Sequence, residues 1–423
     1  MSKQQLHKRF STEQVKTILE SYLAKELSVE EAQEKLEISR SQFFEITGKY
    51  RKDPKEFDLN YHRAKPTRSI GTKAEKSIIR ELKEEKKLID NKDNTVKNYN
   101  YSYIQDNLRE SNCLVSLPTI IARAKDNGFY LPRKKKKKNH DREVVTNFIG
   151  ETVQHDSSHH QFSPYIAEKL YLITSLDDYS RCLLFADIFT RETSWLHIMA
   201  AQRVILQYGC PLKYYVDQHA VFRYVKGRDK NSPWKTFHKF TDDVDPQFKQ
   251  VLADCNVGIT YALSPQAKGK IERPYRWLQD RLVRIAAREK IKTIEELRLV
   301  LNELVAKYNT QWVHSTTKEI PIVRFEKALN NQDCLFKPLK ITNPDSDIKD
   351  IFCLRAQRVI DAYRRVSIDG LEIKVPQGEP RRKVDLHIVP DIKQNLAEIR
   401  FWQQSKYLGS QNVKLSDLKI VRF

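Results

Sequence analysis

Three acidic residues, Asp156, Asp217 and Glu272, each fall at the edge of a predicted element in the middle of the chain. Asp156 closes the strand-like run TNFIGETVQHDSS, Asp217 closes LKYYVDQ, and Glu272 begins the amphipathic helix IERPYRWLQDRLVRIAAREK. Taken singly, each has an ordinary explanation: a turn acid satisfying backbone donors, a helix cap, or a glutamate favoured by a helix dipole. Gathered in one place they need another, because carboxylates repel unless cations sit among them. Magnesium suits hard oxygen ligands and binds one or two carboxylates together with substrate phosphates. Two such ions about 3.5–4 Å apart activate an attacking oxygen and stabilise a leaving one. The chemistry on offer is phosphoryl transfer, with the protein supplying position and charge.

Other residues compete for attention. His155, His159 and His160 flank Asp156. A spacing of four serves metals on a helix, but this segment reads as strand and loop, so zinc is not expected. Asp177 and Asp178 are rivals for the first acidic position.

Positioning these acids requires an α/β domain. KLYLITSLDDYS and RCLLFADIFT read as two more strands, joined through a hairpin at 177–181. A helix over 194–208 follows, then strand LKYYVDQ, strand VGITYAL and the helix of Glu272. Three antiparallel strands followed by alternating helices and strands predict a mixed sheet. Further helices run over 293–330, with Leu297, Leu301, Leu304, Val305 and Tyr308 on one apolar face.

The flanks differ in pattern. Ser11-Thr-Glu-Gln14 and Ser28-Val-Glu-Glu31 are capping boxes, and Ser39 caps a third helix. Two short helices joined by a tight turn predict a helix-turn-helix, with Arg40, Ser41 and Gln42 where base edges are met. A second helical unit carries helices over 74–87, 101–110 and 118–127. Arg133, Lys134, Lys135 and Lys136 begin a basic run that would neutralise backbone phosphates. From about Ile351 short strands with turns at Asp369-Gly370, Gln377-Gly378 and Leu408-Gly409 predict a small β-barrel of roughly five strands. The expected organisation is 1–52 helix-turn-helix, 53–71 linker, 72–132 second helical unit, 133–143 basic linker, 144–330 core, 331–350 linker and 351–423 barrel.

Composition bounds the partner. Lysine and arginine outnumber acids 75 to 55, a formal charge of +20, which favours an extended polyanion, most simply nucleic acid. No apolar run is long enough to cross a membrane and the N-terminus is polar, so a cytoplasmic protein working at the chromosome, in association with the nucleoid, is expected. The six scattered cysteines include no C-x-x-C pair and read as free thiols.

The segments HDSSHH, LITSLDDYSR, YYVDQ and SPQAKGKIER together resemble the retroviral-integrase and bacterial insertion-sequence DDE transposase superfamily. The Ser-Pro-Gln-x-x-Gly-x-x-Glu arrangement is the most specific of them. The resemblance covers about residues 145–330. It implies an RNase H-like core, with Asp156, Asp217 and Glu272 as catalytic, metal-holding acids. It also implies two Mg²⁺ ions, for which Mn²⁺ substitutes, and a hairpin in which Asp177 and Asp178 are structural. The implied reaction is 3′-end hydrolysis followed by attack of that 3′-hydroxyl on target DNA. Gln266, Lys268, Lys270 and Arg273 would then meet DNA near the acids, with Gly269 letting the backbone bend.

Two departures stand out. The 54 residues between Asp217 and Glu272 exceed the family's usual spacing, which points to a surface insertion over Arg223–Pro246. The zinc module of retroviral integrases has no counterpart. The implied partners are double-stranded DNA, at the element ends and the target, and further copies of the chain, with room for an accessory protein. The alternatives are a domesticated DNA-binding regulator with an inactive core, an RNase H-type nuclease and an architectural protein. The intact acid set argues against the first. Glu272→Gln is expected to abolish strand transfer on oligonucleotide ends while leaving end binding intact, and transfer by this variant would remove the assignment.

Overall fold

The computed structural model describes residues 5–59, 70–132, 145–217, 222, 246–262, 269–341, 343–368 and 370–418, without the side chains of 269–273. The chain forms two compact units, Met1–Glu75 and Lys76–Phe423.

Capping shapes the first unit. Both expected capping boxes are present, Ser11 with Gln14 ahead of α1 (Thr12–Leu23) and Ser28 with Glu31 ahead of α2 (Val29–Leu36). Ser39 accepts from the Gln42 N–H to open α3 (Arg40–Lys52). Each cap satisfies amide donors that a helix start leaves without partners. Glu37 takes a left-handed conformation, φ 51°, and turns α2 into α3. Val15, Leu19, Ala32, Leu36 and Phe43 are fully buried and, with Ile46, Tyr50 and Phe57, form the core. Leu23, at the end of α1, is exposed.

The larger unit takes up the rest of α4 (Thr72–Asp90), then α5 (Tyr101–Glu110) and α6 (Leu117–Asp126). Its centre is a five-stranded sheet in the order β3-β2-β1-β4-β5. The strands are β1 (Thr152–His160), β2 (Leu170–Asp177), β3 (Leu183–Phe189), β4 (Lys213–Val216) and β5 (Gly258–Tyr261). β1, β2 and β3 are antiparallel neighbours, whereas β4 joins β1 in parallel and β5 joins β4 in parallel. This is the mixed sheet that the pattern predicts.

Helices cover both faces. α7 (Ser194–Tyr208) and α8 (Gln247–Asp254) pack on one, against Val153, Ile173, Tyr214 and Val216. α9 (Gly269–Glu289) and α10 (Ile294–Thr310) pack on the other, against Leu170, Leu172, Leu176 and Ile188. Alternate side chains of each strand therefore belong to opposite cores. α11 (Pro321–Asn330) follows, and Ile149 and Cys210 then bridge to Cys334 and Lys337.

The first strand ends later than expected. Asp156 lies in the middle of β1, which continues through the polar residues Ser157–His160 because β2 pairs with all of them, as far as His160 with Leu170. His159 stacks on Tyr171 with ring centroids 4.2 Å apart.

After α12 (Ile348–Ile351) come β6 (Leu354–Val359), β7 (Arg365–Ile368), β8 (Leu371–Lys374), β9 (Lys383–Asp391), β10 (Leu396–Gln403) and β11 (Lys406–Lys414). They form a four-stranded sheet, β11-β10-β9-β6, and a separate pair, β7-β8. Where a barrel of roughly five strands was expected, no closed ring is seen among the described residues. Beyond β8 the chain meets β11 through Pro376, which has no N–H to donate. A Cβ at Gly409 would lie 3.0 Å from the Pro376 ring, so the two surfaces touch by packing. Leu408-Gly409, expected as a turn, sits inside β11 beside a register shift. The turn between β10 and β11 is instead Gln404-Ser405, both at positive φ.

α4 and α5 are held to α9 by charge. Arg284 bonds the buried Glu85 and, at 3.0 Å, Asp280, and its Nη2 donates to the Asn98 carbonyl at 2.7 Å. Arg288 reaches Glu81 at 2.9 Å and Glu85 at 3.3 Å, and Arg281 reaches Asp106 at 2.7 Å. Burial pushes the Glu85 carboxyl upward against the pull of the two guanidiniums. Removing one partner strands a charge in the interior, so Arg284→Met is expected to cost about 3 kcal/mol. Urea unfolding measures this, and faster proteolysis between α4 and α5 should accompany it.

Candidate functional site

Strand register relates Asp156 to Asp217. β1 and β4 run parallel, with Val153 beside Tyr214 and Gln154 beside Tyr215. The pairing ends there, and continuing it for two residues sets Asp156 level with Asp217, which directly follows β4. Alternation decides the face. Val153, His155, Tyr214 and Val216 belong to the α7–α8 side. Asp156 and Asp217 therefore lie on the opposite face, the one that α9 covers. Both are half-buried. Such a place, where connections leave neighbouring parallel strands in opposite directions, is a crevice in which α/β sheets bind ligands.

α9 is fixed against this crevice. The Tyr275 hydroxyl donates to the Asp156 carbonyl, and Gln279 donates to Ser158. Burial, and after it the nearby Asp156 charge, raises the Tyr275 phenol well above its ordinary range. Glu272 belongs to the first turns of the same helix, one turn before Tyr275, and its side chain lies outside the described residues. Lys270 and Arg273 share that helix segment with undescribed side chains, whereas Gln266, Lys268, Arg133, Lys134, Lys135, Lys136 and nearly all of the expected insertion lie outside the described residues. Arg40, Ser41 and Gln42 are exposed at the start of α3, with Arg40 3.9 Å from Glu30. Among the described residues no group of three or more histidines, cysteines, aspartates and glutamates is placed to hold a metal. Strand register thus carries Asp156 and Asp217 to one level and one face of the sheet, while the Glu272 side chain lies outside the described residues.

The three histidines do not converge. His155 is buried and bonds Ser175 and His197, His159 lies on Tyr171, and His160 packs at Phe162. Asp177 and Asp178 are structural. Asp177 accepts from the Gly150 N–H at 2.9 Å and from the Ser180 N–H and hydroxyl at 2.8 and 2.6 Å. Asp178 binds Arg181 at 2.8 Å and Thr146 at 2.8 Å. All six cysteines are free thiols. Two residues that pattern reading passes over, Tyr275 and Glu192, touch the strand of Asp156: Glu192 accepts from the Ser157 hydroxyl. No local motif marks either of them.

With this geometry the chain is similar to transposases, and the resemblance carried by its motifs is borne out. No protein-family model matches it. It is 28% identical over 268 residues to a Sinorhizobium fredii protein named "Putative transposase y4bF", covering 63% of this chain and 53% of the relative. It is 30% identical over 195 residues to the transposase for insertion sequence IS1202 of Streptococcus pneumoniae, covering 46% of this chain and 39% of the relative. The chain therefore spans about half or less of the length of these curated relatives. Among solved structures, the HTLV-2 integrase catalytic core domain in complex with magnesium is 16% identical, with 44% of this chain and 99% of that one covered at a TM-score of 0.31. A chain of the simian T-cell lymphotropic virus intasome is 13% identical, with 73% and 92% covered at a TM-score of 0.34. Among the described residues no helix is long and apolar enough to cross a membrane.

Asp177 sets a pH dependence. Burial raises its carboxyl to about 6 although three donors pull it down. Its folded value exceeds the unfolded one, so between about pH 4 and 6 the folded state holds the extra proton. Stability from this group is present at low pH and is lost as pH rises through about 6, by on the order of 2–3 kcal/mol. Urea unfolding across this window should show the decline in wild type and not in Asp177→Asn.

Proposed function

We propose that this protein is a DNA transposase or integrase, a DDE-type recombinase that binds the ends of a mobile element, cleaves them and joins their 3′ ends to target DNA. The observation that carries the reading is the level placement of Asp156 and Asp217 beneath α9, in a basic chain similar to transposases. Asp156, Asp217 and Glu272 are the acids of the site. Two half-buried carboxylates at one level on one face of the sheet fit a hard divalent cation, since their repulsion costs energy without one. Mg²⁺ is the cofactor in this reading, two ions with Mn²⁺ as substitute, and it would supply charge for the attacking and leaving oxygens. The chain's own part is to hold the acids on a rigid sheet and to exclude alternatives of geometry.

The helices of 1–52 and 72–132 are read as helix-turn-helix units that bind the element ends. Arg40, Ser41 and Gln42 are exposed at the start of α3, as base contact requires. Lys134, its basic neighbours, Gln266, Lys268, Lys270 and Arg273 would neutralise phosphates. The C-terminal sheets are the region read as a barrel. Joining two ends calls for at least two copies of the chain on DNA.

The test is transposition of a marked mini-element bounded by the DNA flanking the gene. Wild type is expected to move it, and Asp156→Asn and Asp217→Asn are expected to lose movement by several orders of magnitude. If wild type binds the flanking DNA and leaves it uncut and unmoved with either metal, the protein is a DNA-binding regulator instead.

A further inference from the structure

A line of polar side chains crosses the α7 side of the core directly behind Asp156. The Glu192 carboxylate accepts from the Ser157 hydroxyl and lies 3.1 Å from His197 Nε2. His197 Nδ1 lies 2.8 Å from His155 Nε2, and His155 Nδ1 lies 2.9 Å from the Ser175 hydroxyl. His155, His197 and Ser175 are fully buried, and the Glu192 side chain is 14% exposed. Phe222 and Phe248 enclose the rings.

One proton arrangement satisfies every bond with both rings neutral. A carboxylate only accepts, so His197 carries its proton on Nε2. Its Nδ1 then accepts from His155 Nε2–H, whose Nδ1 accepts from Ser175. The line runs one way, from Ser175 to Glu192, and ends on a single carboxylate. Apolar side chains would fill the same space without desolvating four polar groups. What the polar line achieves is attachment: His155 and Ser157, the residues on either side of Asp156, are both tied through it to the segment that opens α7. Tyr275 holds the Asp156 carbonyl from the other face.

We propose that Glu192 is a positioning residue of the site, anchoring the 155–157 segment so that Asp156 keeps the orientation needed to hold a divalent cation. This rests on Asp156 being a metal-holding acid, and it is new in assigning an outer support on the opposite face of the sheet. Glu192 acts on Asp156 through Ser157 and His197, and so through β1. Groups that hydrogen-bond a metal ligand directly change affinity by about ten- to a hundredfold when removed, and Glu192, one residue further out, belongs at the lower end of that range.

The experiment compares wild type, Glu192→Ala, Glu192→Gln and Asp156→Asn as full-length proteins. Mn²⁺ binding is measured by calorimetry on folded protein, and imidazole tautomers by nitrogen-15 shifts. Glu192→Gln keeps an acceptor oxygen in place, so near wild-type Mn²⁺ affinity and Nε2-protonated His155 and His197 are expected. Glu192→Ala should stay folded by circular dichroism, bind Mn²⁺ at least tenfold more weakly and alter the His197 signal. Wild-type affinity in folded Glu192→Ala overturns the proposal. An equal loss in Glu192→Gln also overturns it, because charge and not anchoring would then be what matters. Should Glu192→Ala not fold, the Gln variant decides alone: retained affinity with both rings still protonated on Nε2 supports the anchor, and any other result overturns it. If wild type binds no Mn²⁺ and matches Asp156→Asn, the metal reading of Asp156 has failed first.

Discussion

Parallel pairing of β1 with β4 is the constraint on which the rest of this structure depends. A tight turn cannot make it, because parallel strands need a crossover. The chain therefore spends β2, β3 and α7 before returning to lie along β1 on its free side. That route sets the strand order, leaves a crevice at the carboxyl ends of the two strands, and brings residues 156 and 217 level. A slip of one residue would turn Asp217 to the α7 face and separate the two acids. The register is secured by what surrounds it: Asp178 and Asp177 tie the β2–β3 turn to the start of β1, and α9 closes over the opposite face.

Sequence reading reached the elements whose ends carry their own chemistry. α7 is bounded as expected at Ser194 and Tyr208, since Thr193 caps it and Gly209, at φ 103°, stops it. α5 likewise begins after Asn100, whose side chain accepts from the helix start. α8 escaped notice because Pro246 offers no side-chain cap and eight residues give little periodicity. β1 runs on past Asp156 through the polar Ser157–His160, which nothing in their pattern marks as strand, because pairing with β2 keeps them extended. Asp156 and Asp217 could be picked out by type, but their common face and level follow from a pairing between segments about sixty residues apart, which no local pattern encodes. Glu192 is hidden for a similar reason: although His197 is close in sequence, its contact with Ser157 exists only once the sheet has formed.

Two kinds of interior coexist in the larger unit. One is largely apolar and continuous, crossed by the polar line of His155 and His197, and joins α7 and α8 to the C-terminal sheets through Phe352, Leu354 and Leu386. The other is charged, at the seam of α4, α5 and α9. The apolar interior forgives changes of similar volume. The charged seam does not, since each guanidinium there answers to particular carboxylates. The helix that carries Glu272 is thus held over its second half by α4 and α5 and meets β1 nearer its start.

That seam also differs from the surface in how it answers to solvent. Attraction between exposed lysines and a polyanion fades as dissolved ions screen it, within about 10 Å at 0.1 M salt. Glu85 and Arg284 are sealed from those ions. Heating lowers the cost of having taken such charges out of water. Brine that screens the exposed charges of this chain would leave its internal joint closed, and warmth would favour the joint further relative to its greasy neighbours.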